Sequence, residues 1–146
     1  MPIKPQNRAL YPPDWHNIAG AIRTRANFRC EHEGCEARQY SVGWWARNAL
    51  GELAWRGAWG QNDNPRTYSE ARQKAAELYH DRSEEGPPPI VIVLTVAHLN
   101  HDPSDCRPEN LRAMCQRHHL AYDAEHHRAS AQATRRARAG TLEMFE

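Results

Sequence analysis

The sequence predicts a small α+β fold, and three observations point to it. A β-branched run, IVIVLTV at positions 90–96, reads as a buried strand. Apolar residues at helical spacing occupy segments on both sides of it. A second short apolar stretch, LRAMC at 111–115, stands directly before the last helical segment, so the later part of the chain runs strand, strand, helix.

The elements follow in chain order. After Pro12 and Pro13, Asp14 is placed to cap a helix over 15–28, with Trp15, Ile18, Ile22 and Ala26 on one face. That helix delivers the chain to Cys30. From 34 to 65 no period is clear: Trp44, Trp45, Trp55 and Trp59 are separated by small residues and glycines, and they read as packing residues more readily than as platforms for bases. Ser69 begins a second helix over 68–80, rich in Ala, Glu and Lys. EEGPPP connects it to the strand at 90–96. Residues 99–110, LNHDPSDCRPEN, form a loop because Asp, Pro and Asn at this density oppose regular structure. The strand at 111–115 then leads into a final helix over 116–139, which Gly140 ends.

With 146 residues the chain reads as one domain around a single apolar core. A mean hydropathy of −0.89 makes that core modest, so additional fastening is expected. No apolar run can span a bilayer, and the opening MPIKPQNRALYPPDWH lacks the apolar centre of a secretory signal, which predicts a cytoplasmic protein with no membrane partner. In a reducing compartment Cys30, Cys35, Cys106 and Cys115 are metal ligands or free thiols rather than disulfides. A formal charge of +1 rules out a whole-molecule footprint for nucleic acid. Arginines do gather at 23, 25 and 29 and again at 128, 135, 136 and 138; such runs more often form solvated faces than phosphate contacts.

The densest chemical signal lies late in the chain, where six of the nine histidines fall between His98 and His127. Strand, histidine, polar loop, asparagine, strand and a histidine-bearing helix succeed one another in TVAHLNHDPSDCRPENLRAMCQRHH. This stretch resembles the HNH endonuclease family and its ββα-metal hairpin, with His98, Asn110 and His119 on the three signature positions. The likeness reaches from about Trp15 to His127, and its specific core is His98 to Asp123.

The resemblance implies a metal-dependent endonuclease that hydrolyses DNA phosphodiester bonds, in a single HNH-like domain. Its parts would be an approach helix (1–29), the first cysteines with an insertion (30–89), the ββα-metal core (90–127) and a basic helical tail (128–146). A neutral imidazole at His98 would take a proton from water near neutral pH. Asn110 would hold the loop backbone and orient His98. His119 would carry a divalent ion, Mg2+ or Mn2+, with Ni2+ or Zn2+ as substitutes. One departure stands out. The family often has a metal-binding Asp or His just before the general base, and here that residue is Ala97. Asp123, on the helix face of His119, and His101 in the loop are the candidates to complete the ion's ligands. His126 and His127 read as a solvated face.

Adjacent His118 and His119 point about 100° apart on a helix, so they need not serve one centre. HNH members with a structural zinc add a second cysteine pair before the last signature histidine. Here Cys115 takes the first of those positions and His118 the second, which implies a Cys3His zinc site of Cys30, Cys35, Cys115 and His118. A competing set replaces His118 with Cys106. The expected partner is double-stranded DNA, with a protein partner directing cleavage, in settings such as phage or mobile elements. The alternative function is a non-catalytic, zinc-stabilised module that binds nucleic acid or protein and whose HNH site has decayed with Ala97.

Overall fold

Helix α1, Trp15–Arg25, starts as the apolar spacing requires and buries Ala19 and Ile22. Asp14 precedes it, but its carboxylate makes no capping bond; its carbonyl accepts from Asn17 and Ile18 instead. The computed structural model describes residues 3–143. It is a mixed α+β structure with two small antiparallel sheets.

The tryptophan-rich middle is ordered, contrary to its weak period. Strands β1 (Val42–Arg47) and β2 (Leu53–Gly57) form a hairpin in the register Gly43↔Gly57 through Arg47↔Leu53. The strands approach so closely that a Cβ on Gly43 would collide with the Arg56 carbonyl, which explains a glycine inside a strand. Trp45 and Trp55 are cross-strand partners meeting edge to face at 5.3 Å, and both pack on buried residues. Trp44 donates its indole N–H to the Pro87 carbonyl (3.1 Å) under the Arg82 guanidinium.

Helix α2, Tyr68–Asp81, is capped by Thr67, two residues before Ser69. The Thr67 hydroxyl accepts from the Glu70 N–H (3.2 Å), capping the helix, and the Glu70 carboxylate accepts from the Arg66 N–H (3.0 Å) just before it. Ala71 and Ala75 of α2 pack with Val42 and Val91.

The run at 90–96 is two strands rather than one. β3 (Ile90–Val91) extends the first sheet against β1, whereas β4 (Thr95–His98) pairs with β5 (Leu111–Met114) in the second. Residues 92–94 cross between the sheets with the backbone groups of Ile92 and Leu94 hydrogen-bonded. Ile92 exchanges bonds with Ser41 and Tyr40, the Leu94 N–H donates to the Gln39 side chain (2.6 Å), and Arg23 donates to the Leu94 carbonyl (3.2 Å). Burial of Ile92 and Leu94 beside the cysteines keeps this crossover in the core. β-Branched composition signalled burial correctly but could not report the change of partner.

Helix α3, Gln116–Glu143, does not stop at Gly140, since an isolated glycine costs only about 1 kcal/mol in a helix. The chain divides into two compact units, Met1–Gln116 and Arg117–Glu146, the second being the remainder of α3. Among the described residues no helix is long and apolar enough to cross a membrane.

Candidate functional site

The β4–β5 hairpin places His98 at the end of its strand, paired with Leu111, where the chain leaves the sheet. The loop that follows is held by its own polar side chains. Asn110, buried, donates through Nδ2 to the Asp105 carbonyl (2.8 Å) and the Asn100 side chain (2.9 Å), and its Oδ1 accepts from the Asn100 N–H (3.1 Å). Its carbonyl also accepts from the Leu99 N–H (2.8 Å), so one residue fastens both ends of the loop. Asp105 is clasped by Arg107 through Nε and Nη2, both at 2.8 Å, and this pairing holds its carboxyl down at about 2. The Ser104 hydroxyl and backbone N–H lower Asp102 in the same way. His101 takes a left-handed conformation (φ 59°) in the turn and donates its N–H to the His98 carbonyl (3.1 Å).

His98 is buried, 8% exposed as a residue. Trp15 stacks on it at 5.0 Å with planes 21° apart, and Tyr11 meets it edge-on at 5.6 Å. The Cys106 sulfur lies 3.6 Å from its Nε2. These three neighbours were not foreseen. Trp15 read only as an apolar-face residue of α1, and no spacing rule links Cys106 to His98.

The second cluster consists of Cys30, Cys35, Cys115 and His118, whose ligand atoms all lie within 4.8 Å of one another. Local geometry explains the convergence. Cys30 donates its N–H to Ala37 (2.9 Å) across a turn eased by Gly34 at φ 76°, while the Glu31 N–H donates to Ala113 (2.8 Å), setting this turn beside the end of β5. Cys115 follows β5 directly and His118 lies in the first turn of α3. The three thiols are buried and none is in a disulfide. Hydrogen bonds from Cys115 and Cys35 pull the Cys30 thiol down, whereas the same sharing, together with burial, pushes Cys35 up. A cation among the sulfurs removes that competition for protons. A tetrahedral zinc with bonds near 2.3 Å needs sulfur atoms about 3.8 Å apart, so the donor set and its spread fit the ion. Cys106, the competing fourth ligand, is not in the cluster.

On α3, the His119 Nε2 approaches the Asp123 Oδ2 at 3.1 Å, as their i, i+4 spacing allows. His127, one turn further, comes within 4.0 Å of the same oxygen, and both His126 and His127 are exposed. Ala97 is buried and offers no ligand atom.

The structure thus combines a mixed α+β fold, a histidine-ended hairpin with a polar loop, a helix carrying histidines and a buried Cys3His cluster. Residues 74–121 match the family model described as HNH endonuclease. The matched stretch begins within α2, includes His98, Asn110, Cys115, His118 and His119, and ends before Asp123. No curated protein and no solved structure matches the chain.

Proposed function

We propose that this chain is a metal-dependent endonuclease that hydrolyses phosphodiester bonds of double-stranded DNA. The observation that carries the reading is His98 at the end of β4 with its following loop fastened by Asn110, inside the segment that matches the HNH endonuclease family. The family makes DNA the general class of substrate.

In this reading His98 is the general base, removing a proton from the water that attacks phosphorus. Asn110 is a positioning residue: by fixing residues 100 and 105 it holds the backbone from which His98 projects. His119 and Asp123 would hold the catalytic Mg2+ or Mn2+, since their nitrogen and oxygen at 3.1 Å match adjacent ligands of an ion with bonds of about 2.1 Å. When bound, that ion neutralises charge developing on the scissile phosphate and leaving oxygen. His101 is the further donor available in place of the ligand that Ala97 lacks. Cys30, Cys35, Cys115 and His118 would hold a structural zinc that ties the turn after α1 to the end of β5.

The test is incubation of purified protein with supercoiled plasmid and Mg2+ or Mn2+. Relaxed or linear product that disappears when His119 is replaced by Ala supports the assignment. Cutting that survives both Asp123→Ala and His101→Ala would remove them as ligands.

One observation favours a second reading, a zinc-stabilised binding module without catalysis. His98 is packed under Trp15 and Tyr11, and Ala97 cannot bind an ion. This alternative predicts DNA retention on a gel shift with no cleavage in either metal.

A further inference from the structure

We propose that Cys106 is a positioning residue that sets the tautomer of His98, keeping the proton on Nε2 and the lone pair on Nδ1. This inference rests on the reading of His98 as general base, because a base must present an unprotonated ring nitrogen to the water.

The geometry supplies the direction of the hydrogen bond. The Cys106 sulfur lies 3.6 Å from His98 Nε2 and 3.4 Å from the Pro103 carbonyl. A carbonyl can only accept, so the thiol proton has its partner at Pro103, and the sulfur lone pairs face the imidazole. Nε2 is then the donor, and a neutral ring protonated at Nε2 is unprotonated at Nδ1. The thiol keeps the proton this scheme requires, because burial and the nearby charges of Asp105, Asp14 and Asp102 oppose its ionisation. A ring flip would put Cε1 in place of Nε2 at the sulfur, and the Trp15 stack at 5.0 Å with the Tyr11 edge at 5.6 Å resists it. Cys106 is itself placed by the loop that Asn110 fastens at the adjacent Asp105 carbonyl. The same asparagine therefore fixes both the base and the sulfur that orients it.

Two measurements on the zinc-loaded full chain test this. Nitrogen-15 correlation spectra of the histidine side chains, with His98 assigned through His98→Gln, should show the Nε2–H form in the wild type and a mixture in Cys106→Ala. In plasmid cleavage with Mn2+, Cys106→Ala should lower kcat roughly ten- to a hundredfold with KM unchanged, the scale seen when partners of functional histidines are removed. Cys106→Ser, which retains a donor and an acceptor, should recover most of the rate and the Nε2–H form. An Nδ1–H form in the wild type, an unchanged tautomer in Cys106→Ala, or an unchanged kcat in an active enzyme overturns the proposal. Absence of cleavage by the wild type would defeat the nuclease reading instead, and the spectra would still decide whether Cys106 governs the ring.

Discussion

Arg25 and Glu31 form a forked ion pair, with Nη2 of the arginine 2.8 Å from Oε2 of the glutamate and Nε 3.2 Å from Oε1. Each partner also binds backbone of the second hairpin. Arg25 donates to the carbonyls of Pro108 (2.9 Å) and Leu111 (2.8 Å), and the Glu31 carboxylate accepts the Ala113 N–H (2.7 Å). The end of α1, the first cysteine turn and β5 are thereby joined one residue from Cys30.

A partly exposed ion pair alone contributes little, about 0.2–1 kcal/mol. The Ala113 N–H matters more, because Ala113 is fully buried and loss of its acceptor leaves a donor without one. Glu31→Ala should destabilise the fold by about 2 kcal/mol, while Glu31→Gln, which keeps an acceptor, should cost about half as much. Urea unfolding of the three proteins checks the order.

Zinc should bind with one ion per chain at the Cys3His cluster. His118→Ala should weaken binding sharply and Cys106→Ser should leave it intact, measured by metal analysis after dialysis. Because structural zinc can contribute on the order of 10 kcal/mol to folding, chelation should remove cooperative thermal unfolding rather than shift it slightly. Zinc retained in His118→Ala but lost in Cys106→Ser would reverse the ligand assignment.

The loop should carry an acid-sensitive element. Arg107 holds the Asp105 carboxyl at about 2, below its value of about 3.9 in an unfolded chain. The stabilisation this gives is complete above about pH 4 and fades as pH falls towards 2, because the unfolded state takes up the proton first. Carboxyl NMR should find Asp105 titrating near the low value. Arg107→Ala should move it upward and flatten the stability profile within that window.

Local chemistry made part of this molecule legible in advance. Apolar spacing gave α1, helix-favouring composition gave α2, and β-branching with the polar loop gave the second hairpin. The resemblance to zinc-bearing HNH endonucleases implied the four residues that converge. What escaped notice depends on pairing between distant segments. Trp45 and Trp55 alternate with small residues on strands that only a cross-strand register defines, and Gly43 masks the pattern because its neighbour's backbone fills the space of a side chain. The break at 92–94 arises because residues 39–41 and Arg23 capture its backbone groups. The helix start at residue 68 was read correctly, but it is Thr67, in the T-x-x-E signature with Glu70, and not Ser69 that begins it. The contacts of Trp15, Tyr11 and Cys106 with His98 are purely tertiary, so their residue types gave no warning.

The central claim is that His98 removes the proton from the attacking water, and the rate of supercoiled-plasmid cleavage by zinc-loaded protein in Mn2+ tests it most directly. The wild type should cut, and His98→Ala, with its zinc content and thermal unfolding preserved, should be slower by at least about a hundredfold, the lower range for a lost general base. Equal rates for the two proteins would contradict the account.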